Sequence, residues 1–406
     1  MCYKEEGKWW VSQSNYAEAV LSKFNFPSNI EILDTTLRDG EQQPKIILKK
    51  EDKIAIAKKL DEAGVHRIEA GTPAASIEDA EAIKEICQLG LNAKVFAFVR
   101  NVKSDIQLAK DCGVYGVLAE VPGSNHLLKY GMNWTVEKAI KAACESTKLA
   151  HELGLYVTFF PADGSRADLD FLLSTLQTII EGGGHVDSIA LVDTFGAFSP
   201  EGAAYTVKTL IDKFGLPVEA HFHEDFGLSV ATTIAALAAG ASVAHVTVNG
   251  IGERAGSCPL EPLTLSLKCL YGIDTGVKTE KLIELSRLVE KKTKFPVPPT
   301  KAVVGSEIFG WETGMPSSMW MNSKDVDPLI MLPYKWELTG NTEPKIYLGK
   351  KSGNANVLMW LKKYNIELEE EKHGELLNMV KEFSIENGRV LTEDDFKELV
   401  NNCMNN

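Results

Sequence analysis

The sequence lacks the cysteine patterns of disulfide-stabilised and zinc-binding proteins. Its 406 residues include seven cysteines, an odd number, which are widely spaced and form no CxxC pair. This usage argues against a disulfide framework or a zinc knuckle, and a reducing cytoplasm is the expected location. The first ten residues, MCYKEEGKWW, also lack the apolar core of a secretory signal.

Dense basic runs and long, uniformly apolar runs are missing as well. The formal net charge is −13 and no Lys/Arg-rich run occurs, which argues against nucleic acids and anionic membranes as partners. The most apolar long stretch, residues 230–248, contains Ala, Thr, Gly and a histidine. A helix, a turn and a strand are therefore expected there rather than a membrane span.

From residue 30 onward, short apolar or β-branched runs alternate with longer amphipathic stretches such as residues 49–64 and 135–154. These helical stretches often end at a glycine, as at Gly64, Gly154 and Gly240. Eight strands and eight helices in alternation predict a (β/α)8 barrel. The alternative, an open doubly wound sheet, usually has fewer strands and a glycine-rich phosphate loop after the first strand, which is absent here. The predicted strands are residues 30–34, 67–70, 94–99, 115–121, 155–160, 187–192, 217–222 and 242–248.

The alternation divides the chain into three regions. We expect an N-terminal extension at residues 1–29, the barrel at residues 30–275 and a smaller, mostly helical accessory region at residues 276–406. The accessory region opens with a predicted helix in TEKLIELSRLVEKKTKF, which is followed by the stiff segment PVPP. Its further predicted helices are residues 353–364, 369–386 and 393–402.

Two histidines lie one residue apart in AHFHEDFGL, residues 220–228. On a strand His221 and His223 point to the same face, and two neutral imidazoles there can share a metal ion. The pattern alone is weak, but in a barrel the residues at strand ends and in the following loops form the site. Asp39, five residues beyond the strand-end Asp34, would add a carboxylate and leave coordination positions open for substrate. Capping of a helix or loop is the alternative for Asp39.

Other polar residues fall at the same ends of the predicted strands. Arg38 cannot act as a base, but it can stabilise a developing oxyanion or clamp a carboxylate. Glu69, inward on the second strand, is costly to bury unpaired, so we expect it to pair with Arg38 or to transfer protons. Thr194 offers a hydroxyl group to a substrate carboxylate, with helix capping as the alternative. Glu253 and Arg254 are expected to form a structural ion pair.

Six segments of the sequence resemble, in order and spacing, the isopropylmalate synthase/homocitrate synthase family. That family belongs to the metal-dependent (β/α)8 enzymes, which also include 3-hydroxy-3-methylglutaryl-CoA lyase. The resemblance is strong from residue 30 to about residue 275 and continues more weakly through ETGM (312–315) and LGKKSG (348–353). The six segments are LDTTLRDGEQ, IEAGTPAAS, DGSRADLDFL, LVDTFGAFSP, HFHEDFGL and TVNGIGERAG.

The resemblance implies a Claisen condensation of acetyl-CoA with a 2-oxo acid, with release of CoA. The metal would be Mg²⁺ or Mn²⁺, with Zn²⁺ or Co²⁺ as alternatives, and the 2-oxo acid would chelate it. Arg38 would polarise the keto carbonyl, and Thr194 would bind the carboxylate. The implied metal ligands are Asp39, His221 and His223. The residues expected to bind substrate are Arg38, Gln42, Thr194 and Arg166.

The sequence departs from the family pattern at four positions. Ser257 stands where the family has an asparagine near the metal, and Ala162 stands where it has a glutamate. Pro316 follows ETGM where the family has a catalytic histidine, and proline cannot act as a base. Glu224 replaces the asparagine of the family's HND and is therefore a candidate base beside the metal. The expected catalytic residues are Arg38, Glu69 and Glu224. The alternative for Glu224 is a charge at a helix N-terminus.

The replacement pattern also bears on the substrate. Thr72 replaces the bulky aromatic residue of isopropylmalate synthases, and a polar pocket would suit a dicarboxylic 2-oxo acid. Arg100, His126 and Arg166 are candidates for binding its second carboxylate. We expect oxaloacetate and citrate, as in Re-type citrate synthases; homocitrate, isopropylmalate and citramalate synthesis are the alternatives.

Two further classes of protein stay open. A lyase catalysing the reverse cleavage is disfavoured by the NGIGERAG loop and the long C-terminal region, and Cys258 is expected to be structural rather than reactive. A non-catalytic relative would explain why the family's asparagine, glutamate and histidine are replaced. It would not explain why Arg38 and the three implied metal ligands are retained. The resemblance implies a homodimer in which the C-terminal region reaches the partner's barrel, and the other partners are small-molecule substrates.

Overall fold

A computed structural model describes residues 3–405, which fold into two compact units. The first unit spans Ser14–Val297, and the second combines residues 3–13 with residues 298–405. Over the described residues, every helix is too short or too polar to cross a membrane.

Eight parallel strands of the first unit close into a barrel, in the order β8-β1-β2-β3-β4-β5-β6-β7. The predicted (β/α)8 fold is therefore confirmed, and each observed strand overlaps the predicted one. The runs form strands because β-branched and aromatic side chains pack well on a pleated sheet. The strands are β1 Glu31–Asp34, β2 Arg67–Glu69, β3 Lys94–Arg100, β4 Gly116–Pro122, β5 Tyr156–Ala162, β6 Ser188–Asp193, β7 Val218–Phe222 and β8 Val243–Val246.

Helices alternate with the strands and cover the barrel. Their ends follow local chemistry: the hydroxyl of Ser76 accepts a hydrogen bond from the Asp79 amide at the start of α2, and Gly64 ends α1 with φ 85°. These helices are α1 Lys50–Ala63, α2 Ile77–Cys87, α3 Lys103–Cys112, α4 Val136–Glu152, α5 Leu169–Glu181, α6 Pro200–Phe214, α7 Ser229–Ala238, α8 Leu260–Tyr271 and α9 Leu282–Thr293.

The barrel interior is a packed core rather than a channel. Large apolar side chains from alternate positions of the strands fill it, and polar side chains occupy the levels around them. Because side chains alternate along a strand, the residues two positions beyond these core residues face the barrel mouth. The buried residues of this cluster are Leu33, Phe96, Leu118, Phe160, Ala190, Val192 and Val243.

The first unit extends beyond residue 275, where the sequence places the end of the barrel. Helix α9 belongs to it because the helix packs on α1 and on the loop after β8. Lys292 Nζ lies 2.7 Å from Asp52 Oδ1, and the Asn249 side-chain amide donates to the Ser286 carbonyl at 3.1 Å. The predicted PVPP segment, residues 296–299, contains the boundary between the units.

The second unit includes residues that the sequence assigns to an N-terminal extension. The Trp10 amide donates to the Pro333 carbonyl, and the Lys335 amide donates to the Lys8 carbonyl. A core around Trp360 and Phe396 joins the last three helices. Helices of this unit are α10 Gly314–Ser323, α11 Asn354–Lys363, α12 His373–Asn387 and α13 Glu393–Asn405.

Two motifs of the second unit pack backbone against backbone. A Cβ atom added at Gly314, in ETGM, would lie 2.9 Å from Cα of Gly353, in LGKKSG. A Cβ atom added at Gly353 would likewise lie 2.9 Å from Cα of Gly314. The Gly314 amide donates to the Lys351 carbonyl, and the Lys351 amide donates to Oε1 of Glu312. Only glycine fits at both contact positions.

Candidate metal centre

Three side chains from two separate parts of the sequence meet at the barrel mouth. Asp39, His221 and His223 are buried, and each offers a ligand atom within 4.8 Å of those of the others. His221 lies on β7 and His223 directly follows it, so period-two alternation places both rings on one face. The Thr35 carbonyl accepts the Asp39 amide in a tight turn after β1, which brings the carboxylate to the same place.

The donor set fits a divalent cation. Burial, followed by the nearby His223 and Arg38, holds the pKa of His221 well below its ordinary value, so the ring is neutral and keeps a lone pair. Nδ1 of His223 has no hydrogen-bond partner in the described part of the chain, which is unusual for a buried polar atom. The carboxylate suits Mg²⁺ or Mn²⁺, the two imidazoles also suit Zn²⁺ or Co²⁺, and no thiolate belongs to the cluster.

The loop after β8 supplies a neighbour to the carboxylate ligand. The Ser257 hydroxyl donates a hydrogen bond to Oδ2 of Asp39, and the Ser257 backbone bridges to that of His223. Gly256 is required here, because a Cβ atom at this position would overlap the Gly250 carbonyl oxygen. Cys258 is fully buried, and burial raises the pKa of its thiol to about 12, as suits a structural cysteine.

Arg38 and Glu69 form a buried ion pair beside the three ligands. Arg38 Nε lies 2.8 Å from Oε2 of Glu69, but the contact is not aligned as a hydrogen bond, and Nη2 of Arg38 has no partner in residues 3–405. Nη1 of Arg38 lies 3.1 Å from Oε1 of Gln42 and 3.3 Å from Oδ1 of Asp39. The guanidinium also lies over the ring of Phe98, which helps to fix its position. Its Nη2 group can still donate hydrogen bonds.

The carboxyl group of Glu69 has an altered protonation equilibrium. Burial raises its pKa to about 7, although the positive charge of Arg38 opposes the shift. The predicted pairing of Glu69 with Arg38 is present in the structure, and a pKa near neutrality also suits proton transfer.

Across the mouth lies a second polar group, the Asp163 cluster, in which Ser124, His126 and Arg166 contact the Asp163 carboxylate. This carboxylate accepts two hydrogen bonds from Arg166, at 2.7 and 3.0 Å, one from Ser124 at 2.8 Å, and lies 2.7 Å from Nε2 of His126. Burial opposes the charge, but the hydrogen bonds from Arg166, Ser124 and His126 hold the pKa of Asp163 below its ordinary value. The Thr194 hydroxyl accepts the Asp163 amide at 2.7 Å and keeps its own hydrogen to donate.

Three predicted residues have other partners. Oε2 of Glu224 accepts the Ser229 amide at 2.9 Å at the start of α7, which supports the helix-terminus interpretation over a role as base. Arg100 pairs with Asp105 in the first turn of α3, at 2.7 and 3.0 Å, and does not join the Asp163 cluster. Arg254 contacts Glu253 only at 3.5 Å and pairs more closely with Asp225, at 2.8 and 2.9 Å.

Glu120, near the end of β4, was missed in the sequence analysis. It lies two residues beyond the interior Leu118, so its side chain faces the barrel mouth. Burial raises the pKa of this carboxyl group, and the nearby Arg38 opposes the shift. No hydrogen bond to its carboxylate is found within residues 3–405. The signal in the sequence was the alternation in YGVLAEV, which places a glutamate on the inward face.

Lys53 is a further buried charge that sequence reasoning missed. Its ammonium group lies 2.6 Å from Oε2 of Glu41, also contacts Asp79, and donates to the Leu37 carbonyl at 3.4 Å. It therefore ties the loop that carries Arg38 to helices α1 and α2. In the sequence Lys53 is one of several charged residues of an amphipathic helix, and nothing marks it as buried.

Comparison with known proteins agrees with this fold. The HMGL-like family model matches residues 29–289. Homocitrate synthase AksA of Methanothermobacter thermautotrophicus is 38% identical over 93% of this chain and 95% of its own length. The (R)-citramalate synthase CimA of Methanocaldococcus jannaschii is 39% identical over 91% of this chain and 74% of its own.

A 2-isopropylmalate synthase of Methanocaldococcus jannaschii is 36% identical over 96% of this chain and 74% of its own length. Among solved structures, the HMG-CoA lyase of Bacillus subtilis superposes with a TM-score of 0.61 over 67% of this chain and 96% of its own. Its identity of 21% shows a shared fold and no more.

Proposed function

The chain belongs to the HMGL-like family, and we propose that it condenses acetyl-CoA with a 2-oxo acid, after which water hydrolyses the thioester and CoA is released. This activity is that of an acyl-CoA C-acyltransferase. The observation that carries the proposal is the convergence of Asp39, His221 and His223 on one face of the mouth, with Arg38 beside them. The names of three relatives, a homocitrate, a citramalate and an isopropylmalate synthase, support the same reaction class.

Asp39, His221 and His223 would hold the cation, for which we propose Mg²⁺ or Mn²⁺, with Zn²⁺ or Co²⁺ as alternatives. When bound, such an ion supplies Lewis acidity toward the keto carbonyl of the 2-oxo acid. Nη2 of Arg38, which has no partner in residues 3–405, can donate to the carbonyl oxygen as negative charge develops on it. Gln42 and Glu69 hold the guanidinium in position, and the Thr194 hydroxyl can donate to the substrate carboxylate.

The condensation also needs a base that removes a proton from the acetyl methyl group. Pro316 leaves the family position without one, and Glu224 already accepts a helix amide. Glu120 is better placed: it faces the mouth, and its raised pKa brings it closer to neutrality. We assign proton abstraction to Glu120, with Glu69 holding Arg38 and Glu224 as the alternative base.

For the 2-oxo acid we propose oxaloacetate, which gives citrate. The supporting feature is the Asp163 cluster, in which Arg166 and His126 stay half-exposed while Asp163 orients them. Two oriented nitrogen groups at a barrel mouth suit the second carboxylate of a dicarboxylic acid. The relatives make 2-oxoglutarate, and thus homocitrate, the leading alternative; 2-oxoisovalerate and pyruvate would give isopropylmalate and citramalate.

The test is a thiol-release assay with acetyl-CoA and either Mg²⁺ or Mn²⁺. Oxaloacetate, 2-oxoglutarate, 2-oxoisovalerate and pyruvate are compared side by side, with His223→Ala as the control. We expect CoA release with oxaloacetate, abolished in the variant. Release with another acid would correct the substrate, and release with none, from protein that binds metal, would overturn the proposed reaction.

We also propose a homodimer in a reducing cytoplasm, from the family resemblance and from the odd number and wide spacing of the seven cysteines. Sedimentation velocity across a range of concentrations tests the first statement: a species of twice the chain mass of 44.6 kDa is expected.

A further inference from the structure

Beneath the candidate metal ligands, the barrel interior holds a carboxylate and an imidazole that the proposed chemistry does not use. Glu219 on β7 and His245 on β8 are both fully buried, at 0% and 1% exposure. Glu219 lies two residues before His221 and therefore on the same inward face. Burying such groups is costly unless each polar atom has a partner.

These groups form a chain of contacts that ends at a metal ligand. Nε2 of His245 lies 2.7 Å from Oε2 of Glu219, and Nδ1 of His245 lies 3.3 Å from Nδ1 of His221. The other carboxylate oxygen of Glu219 is occupied separately. It accepts hydrogen bonds from Ser188 Oγ at 2.7 Å, Arg67 Nη1 at 3.0 Å and Thr158 Oγ1 at 3.3 Å.

The direction of each hydrogen bond follows from which groups can donate. Arg67 beside Glu219 favours the ionised carboxylate, which has no hydrogen to give, so Nε2 of His245 is the donor. When the His245 ring is neutral, its Nδ1 carries only a lone pair. Nδ1 of His221 must therefore carry the hydrogen in the contact between the two rings. A neutral imidazole has one hydrogen, so Nε2 of His221 is left with its lone pair.

We propose that Glu219 and His245 form a relay that fixes the tautomer of His221 and so presents Nε2 to the cation. Both are positioning residues, because they act through His221 and do not touch the reacting atoms. Partners of this kind orient metal-binding histidines and alter metal affinity. The inference rests on the proposed function only in taking His221 as a metal ligand.

The first test reads the tautomer directly in metal-free protein. Long-range ¹H–¹⁵N correlation of histidine-labelled protein distinguishes Nδ1–H from Nε2–H rings, and the eight histidines keep the spectrum tractable. The His221 signal is assigned by its loss in His221→Gln. We expect Nδ1–H at His221 in the unmodified chain. The Nε2–H form there would overturn the relay without any further variant.

The second test reverses the relay. In Glu219→Gln the amide can donate to Nε2 of His245, which turns His245 into a donor toward His221 and favours Nε2–H at the ligand. We expect the tautomer signal to change and the affinity for Co²⁺, followed by its visible absorption, to fall on the order of 10–100-fold. Glu219→Asp keeps a carboxylate and is expected to recover part of the affinity.

Ser188→Ala is the matched control, because it removes a hydrogen bond to the other oxygen of Glu219. It leaves the direction of the hydrogen bonds from Glu219 through His245 to His221 unchanged. We expect its Co²⁺ affinity to stay within about threefold of the unmodified chain. If Glu219→Gln and Ser188→Ala lose equal stability while the tautomer and affinity stay unchanged, Glu219 is only a structural residue. Neither readout uses substrate, so a failed CoA-release assay would count against the proposed function and leave the relay standing.

Discussion

The hydroxyl group of Ser257, in the loop after β8, donates a hydrogen bond to Oδ2 of Asp39, in the loop after β1. The two loops are far apart in sequence, and the contact fixes the rotation of a carboxylate that we expect to bind metal. The family's asparagine at this position would lie near the metal, and the serine instead acts on a ligand.

Replacing Ser257 tests this contact. In Ser257→Ala the carboxylate of Asp39 loses its oriented donor, so we expect metal affinity to fall about tenfold, with little loss of fold. Isothermal titration with Mn²⁺ measures the change. Ser257→Asn, which restores a side-chain donor, is expected to bind at least as tightly as the unmodified chain; equal weakening in both variants would contradict the prediction.

The base can be identified with two isosteric variants. We expect Glu120→Gln to lower kcat by roughly 10²–10⁴-fold, because the amide cannot accept a proton from the acetyl group. Glu224→Gln should stay within about threefold, since a glutamine oxygen still accepts the Ser229 amide. Hydrogen–deuterium exchange of the acetyl methyl group, followed by mass spectrometry, separates proton abstraction from later steps. A normal rate in Glu120→Gln together with a collapse in Glu224→Gln would reverse the assignment.

Arg166 bears on the choice of 2-oxo acid. With Arg166→Gln, the Asp163 cluster loses its bidentate cation, and we expect KM for a dicarboxylic acid to rise on the order of 10–100-fold. KM for pyruvate, which has no second carboxylate, should be unchanged. Arg100→Gln is the comparison variant, because that guanidinium is bound to Asp105 and should not affect either KM. Parallel rises for both acids in Arg166→Gln would place the residue outside the substrate pocket.

Asp34 predicts a pH dependence of stability. Burial raises the pKa of this carboxyl group from 3.8 to about 7, although Thr36 opposes the shift by hydrogen bonding. The folded state thus holds a proton that the unfolded chain releases near pH 4. Its stabilising effect is complete below that pH and is lost as the pH rises through 7.

Asp34→Asn removes this titration and keeps an acceptor for the Thr36 amide. Relative to the unmodified chain, we expect the stability of the variant to rise by up to about 3 kcal/mol between pH 5 and pH 8. Urea unfolding at both pH values measures the difference. A constant difference across the range would show that Asp34 titrates normally.

Much of the site followed from local rules. Period-two alternation placed His221 and His223 on one face, and the strand count placed Asp39 and Arg38 in the same mouth. The pairing of Arg38 with Glu69 followed from the cost of burying a lone carboxylate. These inferences needed only the position of each residue relative to its own strand.

Other features depend on contacts between neighbouring strands, which a single sequence does not specify. The link from Glu219 through His245 to His221 requires the register of β8 against β7. The role of Glu224 depends on where α7 begins, and the orientation of Arg166 depends on Asp163, which adopts φ 61°. Burial of Lys53 depends on the packing of α2 against α1, so helical amphipathicity did not reveal it.

The contact of Gly314 with Gly353 limits how this chain can vary. In most packed pairs, a larger residue on one side can be offset by a smaller one on the other. Here both partners already have the smallest side chain, so no second substitution can make room for the first. A chimaera between relatives must therefore take the ETGM and LGKKSG segments from the same parent, so that the two backbones still fit against each other.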